Sequence, residues 1–328
     1  MAGRRTNLAL LGFAVVALLS GIGAFLVGTP AGRWVVVAHG VVALAIIVLM
    51  PWKGMIVRRG VARVRPGRAM SIVLTVVTVG AIATGVVLVT GMAESIGPVT
   101  TMQLHVSLGL LMVSLTLVHT LQRPVPFRRA DRSRRNLLRA GGVLAAAGGL
   151  WLSVEGFLDA VGARGGARRF TGSHEIVEPA QVPITQWLND RVQHLDRVAH
   201  HVVMGDQSMT VATLESGGDV VEATLDCTGG WYTTQPWSGT RLDRVLEGLA
   251  GESIVVRSAS GYWRRFPFDQ ASWLLLATHM AGEPLSDGHG GPVRLVAPGR
   301  RGYWWVKWVV SVEVDDRPSW WQPPLPTA

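Results

Sequence analysis

The stretch Leu225-Asp226-Cys227-Thr228-Gly229-Gly230-Trp231 places the only cysteine of the 328-residue chain in a glycine-rich turn that follows strand-forming residues. One thiol cannot close a disulfide within its own chain, and it lacks the companion cysteines of a zinc or iron–sulfur site. If Cys227 takes part in chemistry, it does so as a nucleophile, or as one soft thiolate on a metal whose other ligands come from elsewhere. A structural buried thiol is the alternative.

Composition divides the chain into two parts. Residues 6–32, 34–52, 69–93 and 95–122 contain no Asp, Glu, Lys or Arg, and each stretch can supply the ~20 apolar residues that cross a bilayer. A fifth, weaker apolar segment is rich in alanine and glycine. The sequence therefore predicts a membrane α-helical bundle over 1–160, followed by a soluble α+β domain over 161–328. The five transmembrane helices are expected at about 7–28, 33–51, 70–91, 102–121 and 137–158.

The charge distribution follows the same division. Residues 1–160 hold 16 Lys/Arg and 4 Asp/Glu, whereas residues 161–328 hold 15 and 18, so the net charge of +9 is not a nucleic-acid signal. The positive-inside rule predicts a multi-pass protein of a bacterial cell membrane, with its N-terminus and both basic loops cytoplasmic and residues 161–328 extracytoplasmic. The loops carry Lys53, Arg58, Arg59, Arg63, Arg65 and Arg68, and Arg123, Arg128, Arg129, Arg132, Arg134 and Arg135.

The fifth apolar segment is preceded by Ser133-Arg134-Arg135-Asn136-Leu137-Leu138-Arg139. This run resembles a twin-arginine export signal. The twin-arginine translocase moves folded domains, so this partner suits a domain that takes up a cofactor in the cytoplasm. The alternative is an ordinary basic flank of a membrane helix.

Three histidines, His39, His105 and His119, fall inside the predicted spans, where an ionisable residue indicates function. His105 and His119 are 14 residues apart, which places them about 40° apart around one helix and about 21 Å apart along it. His39 and His105 are expected at matching depth near the outer face, where they could hold one haem b. The arrangement resembles a four-helix membrane cytochrome b. Two alternatives stay open: a second haem at His119 with Met50 as its other ligand, or histidines that only hydrogen-bond between helices.

Residues 161–328 show the alternation and turns of a mixed domain. β-branched alternation predicts strands at Val220–Asp226 and Ser253–Ser258, and Gly302–Val314 is expected to form a strand pair or one long strand. Helices are predicted at Leu242–Leu249 and Asp269–His279. Glycine-rich turns at 229–230 and 288–291 would let backbone N–H groups approach a phosphate.

The order of short motifs in this part resembles the molybdopterin-binding domain of the sulfite oxidase superfamily, and the resemblance covers nearly all of 165–315. In chain order the motifs are Phe170-Thr171-Gly172-Ser173-His174-Glu175, Asp226-Cys227-Thr228-Gly229-Gly230-Trp231, Trp237-Ser238-Gly239-Thr240-Arg241-Leu242, Ser260-Gly261-Tyr262 with Phe266-Pro267, Gly282-Glu283-Pro284-Leu285, and His289-Gly290-Gly291-Pro292-Val293-Arg294-Leu295-Val296-Ala297-Pro298, followed by Gly302-Tyr303 and Lys307-Trp308.

The resemblance implies a role for each matching residue. Cys227 is expected to be the protein thiolate on molybdenum, Tyr262 an active-site residue, and Arg294 the ligand of the cofactor phosphate. The remaining cofactor-binding residues implied by the match are Thr171, His174, Glu175, His289, Trp305, Val306 and Lys307.

Two departures from the family bear on the substrate. No immunoglobulin-type dimerisation domain follows the matched region, so the plan is closer to the shorter methionine-sulfoxide reductase subunit. No clear counterpart of the sulfite-binding arginines is present, although Arg257, Arg264 and Arg265 lie near the expected position.

The function expected from the sequence is a membrane-bound oxidoreductase that uses molybdenum-molybdopterin. It would transfer an oxygen atom to or from a small sulfur- or nitrogen-oxide substrate and exchange electrons through haem b with quinone, quinol or another carrier. A cofactor-free binding or sensory module on a membrane anchor is one alternative. A haem-only membrane reductase is another.

Overall fold

In the computed structural model the chain forms two compact units, Met1–His174 and Glu175–Ala328. The residues described are 2–61, 68–97, 99–122, 128–187, 190–205 and 207–325. Arg63, Arg65 and Arg123 of the predicted basic loops lie outside the described residues. Residues 161–174 pack with the first unit.

The first unit contains five helices that are long and apolar enough to cross a membrane. Each contains or nearly contains one of the predicted spans, so the prediction of five apolar helices is confirmed. Many of their large apolar side chains are exposed, including Leu19, Val76 and Leu121. The helices are α1 (Ala2–Leu26), α2 (Arg33–Val61), α3 (Arg68–Thr90), α4 (Thr101–Gln122) and α5 (Arg134–Ala160).

These helices pack mainly in consecutive pairs. Helix α1 lies against α2, α3 against α4, and α5 against α2. At the contact between α2 and α5, the ring of Trp151 covers Gly40 so closely that an ideal Cβ there would be 1.9 Å from the ring. The packing of Trp151 therefore requires glycine at position 40. Met50 packs against the apolar core around Phe13, Ile46 and Leu49.

The segment after α5 folds back onto the C-terminal end of α3. His174 Nε2 donates to the Leu88 carbonyl over 2.7 Å. The Arg168 guanidinium contacts Glu155 at 2.5 Å and also donates to the Val89 carbonyl. The last carbonyls of a helix have no partner within the helix, so these two side chains satisfy the end of α3.

The strands are short and lie almost entirely in the second unit. β1 (Ser95–Ile96) and β2 (Val99–Thr100) form a hairpin in the first unit. The others are β3 (His174–Glu175), β4 (His201–Met204), β5 (Gln207–Thr210), β6 (Asp219–Asp226), β7 (Trp231–Arg241), β8 (Ser253–Ser258), β9 (Trp263–Pro267), β10 (Leu275–Met280), β11 (Glu283–Pro284), β12 (Arg294–Val296) and β13 (Val309–Asp315). Two short helices accompany them, α6 (Val211–Ser216) and α7 (Leu242–Val245).

Two sheets organise the second unit. A six-stranded sheet has the order β11-β10-β7-β3, with β12 also paired to β10 and β6 to β7. A five-stranded sheet has the order β5-β4-β13-β8-β9. Trp237, Phe266, Leu275 and Leu295 are fully buried in the core of this unit. The α+β class predicted from the sequence is confirmed.

The β6–β7 hairpin positions the cysteine. The two strands pair in an unbroken register from Asp219 opposite Gly239 to Asp226 opposite Tyr232. The loop between them is closed by hydrogen bonds from Cys227 N to the Trp231 carbonyl (2.9 Å) and from Gly230 N to the Cys227 carbonyl (3.2 Å). Gly230 has φ +90°, a conformation that glycine adopts without strain. Cys227 therefore projects from a rigid tight turn.

The structure corrects some local predictions. The helix predicted at Asp269–His279 is wrong: a 3₁₀ turn covers Phe268–Trp273, and β10 follows it. Strand β10 pairs with both β7 and β12 and is buried almost throughout. A strand buried on both faces shows a continuous apolar run, which periodicity cannot distinguish from a buried helix. The strand predicted from Gly302 begins only at Val309.

Candidate active site

The Cys227 thiol lies in a buried, polar surrounding. The side chain is 8% exposed. Its Sγ is 3.3 Å from the Thr185 hydroxyl and accepts a hydrogen bond from the Gly229 backbone N–H at 3.3 Å. The sulfur therefore has one hydroxyl and one backbone N–H within hydrogen-bond distance. Thr185 is 42 residues away in sequence and has no motif of its own, so the sequence analysis missed it.

A buried ion pair holds the turn that contains Cys227. Asp226 and Arg301 contact each other at 2.5 Å, with side chains only 5% and 2% exposed. Arg301 also donates to the carbonyl of Cys227 at 3.4 Å, and the two backbones form a parallel bridge. Asp226 belongs to the cysteine motif, but neither its sequence context nor that of Arg301 predicts this pair. The pair links the cysteine turn to the segment that follows β12.

Arg294 is a buried cation close to the thiol. Its guanidinium lies 5.2 Å from the Trp237 ring and 5.6 Å from the Trp305 ring, and it donates to the His289 carbonyl at 2.8 Å. Burial lowers the pKa of Arg294 to about 10, although Cys227 opposes the shift. Its Nε is buried and has no hydrogen-bond partner in the described part of the chain. The sequence-predicted residues Arg294, Trp305 and His289 are thus brought together.

Lys307 is the second buried cation. Its Nζ donates to the carbonyls of Thr185 (2.8 Å) and Gly288 (2.6 Å). Burial, and then the neighbouring Arg294, lower the pKa of Lys307 to about 7, although Cys227 and Asp190 oppose the shift. The Thr185 residue therefore contacts both the amine and the sulfur.

Neither buried cation has a carboxylate partner within ion-pair distance in the described ranges. Asp190 interacts with Lys307 only over a longer distance, and burial raises the pKa of that carboxyl. A buried charge without a partner is costly. The arrangement of Arg294 and Lys307 beside one thiol therefore favours an anionic ligand.

Both ring nitrogens of His289 are hydrogen-bonded. Its Nε2 is 3.0 Å from the Val182 carbonyl and its Nδ1 is 2.8 Å from the Ser286 hydroxyl. Because a carbonyl only accepts, Nε2 carries a hydrogen. Burial lowers the pKa of His289. The next residue, Gly290, has φ +97°, and an ideal Cβ there would be 2.8 Å from the Lys307 side chain.

Tyr262 and Val306 join the site through backbone contacts. The buried Tyr262 hydroxyl donates to the carbonyl of Tyr303, and burial raises the pKa of this phenol. Tyr303 follows Gly302, where an ideal Cβ would be 3.2 Å from Cys227 Cα. Val306 is fully buried, and its carbonyl accepts from Leu295 N at 2.7 Å.

Three sequence-predicted cofactor contacts lie where the chain passes from the first unit to the second. Thr171 and His174 belong to the first unit, where Thr171 donates to the Ser173 hydroxyl at 3.3 Å and His174 contacts Leu88. Burial lowers the pKa of His174. Glu175 is exposed on β3. Their role toward a cofactor stays a prediction.

The arginines expected near a sulfite site have other partners. Arg257 pairs with Glu313 at 2.9 Å and Arg265 with Asp315 at 2.8 Å. Arg264 is buried, and its guanidinium lies 4.1 Å from the Trp304 ring centre. Two of the three are thus used in ion pairs with β13.

The first unit brings His39 and His105 together. Their ring centroids are 6.1 Å apart and their planes are inclined by 88°. His39 Nδ1 is 2.9 Å from the Ala17 carbonyl, and His105 Nδ1 is 2.9 Å from the Ala81 carbonyl. Each ring therefore hydrogen-bonds to a neighbouring helix, and the two rings lie close together. Their role as haem ligands stays a prediction. His119 lies on α4, 14 residues further along.

Comparison with known proteins identifies the second unit. Residues 188–321 match the family described as oxidoreductase molybdopterin binding domain. The chain carries a molybdopterin-binding oxidoreductase domain of the sulfite oxidase superfamily. This molybdopterin-binding domain contains Cys227, Tyr262, His289, Arg294 and Lys307.

Individual relatives match this domain over shorter stretches. The mitochondrial sulfite oxidase of Rattus norvegicus is 34% identical over 116 residues, covering 30% of this chain and 21% of that protein. The protein-methionine-sulfoxide reductase catalytic subunit MsrP of Xanthomonas campestris is 29% identical over 114 residues, covering 28% and 35%. The crystal structure of the sulfane dehydrogenase SoxCD from Paracoccus pantotrophus gives a TM-score of 0.36 at 23% identity, covering 38% and 40%. The chain spans about a fifth of the length of the curated sulfite oxidases it matches.

The pKa of Lys307 predicts how the molybdopterin-binding domain binds anions. In cofactor-free protein Lys307 is charged below its pKa of about 7 and neutral above it. Sulfate keeps its charge across this range, so its affinity should fall by up to about tenfold per pH unit above 7. Calorimetric titration of sulfate at pH 6, 7 and 8.5 measures this. Lys307→Arg, which stays charged, should bind with little pH dependence; the same decline in that variant would contradict the assignment.

Proposed function

We propose that this protein is a membrane-bound, molybdopterin-dependent oxidoreductase that carries out two-electron oxygen-atom transfer and exchanges electrons through haem b with quinone or another carrier. The observation that carries the proposal is the pair of buried cations, Arg294 and Lys307, beside the buried thiol of Cys227. Within the described residues, neither cation has a carboxylate at ion-pair distance. Molybdopterin combines a phosphate with a metal that accepts a soft thiolate, so it fits both requirements.

The surrounding residues support the fit. Trp231 Nε1 and Arg294 Nε are buried donors that have no partner among the described residues. An ideal Cβ on Gly229 would lie 3.4 Å from both the Cys227 sulfur and Trp231 Nε1, so glycine leaves the space between these groups open. A ligand with an acceptor atom at this position would satisfy Trp231 Nε1.

Each residue contributes binding or orientation rather than the redox chemistry itself. Cys227 would be the protein ligand of molybdenum, with its sulfur positioned by contacts with Thr185 and Gly229. Arg294 and Lys307 would hold the phosphate. The cofactor supplies two-electron oxygen-atom transfer when it is bound. Tyr262, whose raised pKa keeps its hydroxyl protonated, would not act as a base, and its one hydrogen is donated to the Tyr303 carbonyl.

The names of the relatives indicate a small substrate that carries oxygen on sulfur, and the same chemistry applies to nitrogen oxides. In the reducing direction such an oxide gives up its oxygen as water and consumes two electrons and two protons. In the oxidising direction water supplies the oxygen, and two electrons and two protons are released. A one-electron carrier in the membrane would divide each pair of electrons into single steps.

The first unit fits that carrier role. With metal–nitrogen bonds of about 2 Å and roughly 1 Å from each nitrogen to its ring centre, two imidazoles on one iron have centroids about 6 Å apart. The observed separation is 6.1 Å. Both Nδ1 atoms face carbonyls, which leaves both Nε2 atoms available as haem ligands.

The experiment that tests the proposal is metal analysis with an optical spectrum of the detergent-purified protein. We expect one molybdenum and one low-spin haem b per chain. His39→Ala and His105→Ala should each abolish the haem spectrum and leave molybdenum in place, whereas His119→Ala should keep most of the haem.

Each other outcome identifies a different protein. A purified protein that contains neither metal would indicate the cofactor-free sensory module. A protein that contains haem but no molybdenum would indicate the haem-only reductase. Molybdenum without haem would leave an oxygen-transfer enzyme on a plain anchor. A spectrum that requires His119 but tolerates loss of His39 would contradict the ligand pair.

The five apolar helices and the charge bias of their loops support a cell-membrane location, with the N-terminus cytoplasmic and the molybdopterin-binding domain outside. Export of a folded, cofactor-loaded domain would use the twin-arginine translocase. Replacing both Arg134 and Arg135 by lysine keeps the positive charge.

We expect that double variant to leave the second unit on the cytoplasmic side while α1–α4 remain inserted. Protease accessibility of a C-terminal tag in spheroplasts measures this. The matched control is Arg128→Lys with Arg129→Lys, which should not change accessibility. Normal export of the double variant in cells, or of the wild type without the translocase, would refute the claim.

A further inference from the structure

The two paired histidines are preceded in the chain by matching short motifs. Helix α1 contains Ala17-Leu18-Leu19-Ser20-Gly21, and α3 contains Ala81-Ile82-Ala83-Thr84-Gly85. Both read Ala-x-x-Ser/Thr-Gly. Each motif lies on the first helix of a packed pair, and the histidine it serves lies on the second, His39 on α2 and His105 on α4. The similarity extends beyond sequence to the contacts that the alanine, the hydroxyl residue and the glycine of each motif make with the imidazole.

The alanine carbonyls fix the protonation of the rings. Ala17 O lies 2.9 Å from His39 Nδ1, and Ala81 O lies 2.9 Å from His105 Nδ1. A carbonyl oxygen can only accept, so each Nδ1 carries the hydrogen and each Nε2 keeps its lone pair. Among the described residues, neither Nε2 has a hydrogen-bond partner. The two rings are therefore prepared for ligation in the same way.

The hydroxyls add a second acceptor to each Nδ1. Ser20 Oγ and Thr84 Oγ1 both lie 3.3 Å from these nitrogens. Each hydroxyl donates its own hydrogen within its helix, Ser20 to Val16 O at 2.6 Å and Thr84 to Gly80 O at 2.9 Å. The hydroxyl oxygens are thus left to accept from Nδ1–H, which is shared between a carbonyl and a hydroxyl.

The glycines define where the rings lie. An ideal Cβ on Gly21 would be 3.1 Å from His39 Cε1, and one on Gly85 would be 3.1 Å from His105 Cε1. Contacts this short require the neighbour to move. Each imidazole therefore packs directly against glycine backbone, and a side chain at that position would displace or rotate it.

We infer that the two Ala-x-x-Ser/Thr-Gly motifs are positioning elements for a bis-histidine haem: the glycines hold the imidazole planes nearly perpendicular, and the hydroxyls lower the haem reduction potential. The inference rests on the haem of the proposed function and deepens it. The planes are inclined by 88°. Acceptors at Nδ1 make an imidazole a stronger donor to a metal, which stabilises the ferric state.

The potential is tested with Ser20→Ala, Thr84→Val and the double variant. Each loses one acceptor and keeps the carbonyl contact, so haem content should stay near wild type. Spectroelectrochemical titration should show an upward shift for each variant and a larger one for both together. A tenfold change in the ratio of oxidised to reduced haem at fixed potential equals 59 mV for one electron. Thr78→Val, on the same helix as Thr84, is the control; its hydroxyl contacts only the Leu74 carbonyl of its own helix.

The ring geometry is tested with Gly21→Ala and Gly85→Ala. Perpendicular imidazole planes give ferric haem a strongly anisotropic low-spin EPR signal with one large g value. Both variants should reduce that g value, because the ring must rotate or move. Gly12→Ala on α1 and Gly109→Ala on α4 are matched controls, since an ideal Cβ there meets nothing within 4 Å. Their spectra should equal that of the wild type.

The outcomes separate this inference from the proposed function. If the purified wild type contains no haem, the proposed electron carrier itself is wrong. If haem is present and requires His39 and His105, but the hydroxyl variants do not shift the potential and the glycine variants do not alter the EPR signal, only the positioning role is overturned. A wild-type signal typical of parallel planes would also overturn it.

Discussion

Replacing Cys227 by serine should abolish oxygen-atom transfer and leave the molybdopterin-binding domain folded. The side-chain volume barely changes, and a hydroxyl can keep the contacts with Thr185 and Gly229. A hydroxyl or alkoxide is a harder, more basic ligand than a thiolate. We therefore expect the metal's reduction potential and electronic spectrum to change while the pterin, held by Arg294 and Lys307, remains bound.

The measurement combines an artificial-donor assay with metal analysis and mass spectrometry of the released pterin. Thr185→Val should give a partial loss, since it removes one hydrogen bond to sulfur worth about 1 kcal/mol. Thr224→Ser, on the strand β6 that precedes Cys227 and with its hydroxyl in contact with the exposed Thr234, is the control that should keep activity. Full activity in Cys227→Ser would end the molybdoenzyme proposal.

Arg294→Met should lose the cofactor itself, whereas Cys227→Ser should keep the pterin and lose activity. The change removes a charge-assisted phosphate contact worth roughly 1.5–3 kcal/mol, which corresponds to about tenfold to 150-fold weaker binding. Methionine fills a similar volume between Trp237 and Trp305. Because burial lowers the pKa of Arg294, its charge destabilises the empty site, and the cofactor-free variant should melt at a higher temperature than the cofactor-free wild type.

Pterin content per chain and thermal melting of cofactor-free protein measure the two effects. Arg257→Met is the matched control, since Arg257 is half exposed and paired with Glu313 on the surface; it should change neither quantity much. If Arg294→Met retained full pterin occupancy, Arg294 would not be the phosphate ligand. If its cofactor-free form melted lower, the buried charge would instead be stabilising.

The sequence alone was sufficient to predict features that depend on neighbouring residues in the chain. The five apolar helices follow from hydropathy alone, and the cysteine turn follows from its glycines and the strands beside it. It was insufficient where partners come from distant segments. Thr185 lies in an irregular stretch without periodicity, and nothing local shows that it reaches Cys227 and Lys307. The Asp226–Arg301 pair likewise joins residues 75 positions apart.

The error at Asp269–His279 has a related cause. The apolar residues Leu274, Leu275, Leu276 and Ala277 are all buried, so the pattern lacks the alternation of a strand with one exposed face. Only the pairing of β10 with strands on both sides makes such a run extended. His39 and His105 were paired from predicted depth, but the carbonyls and hydroxyls that orient them depend on helix packing, which hydropathy does not specify.

Because the chain has a single cysteine and that cysteine is buried, a thiol assay can measure how many molecules carry the metal. A thiol-specific reagent added after denaturation counts every chain once, because no other sulfhydryl exists in the 328 residues. The same reagent added to native protein would reach Cys227 only in molecules whose sulfur is not engaged by a metal and whose turn opens. In the purified protein, the ratio of the two readings would report the fraction of chains whose sulfur is engaged by a metal. For the same reason, a cysteine introduced elsewhere for labelling would compete for the reagent only with the buried Cys227.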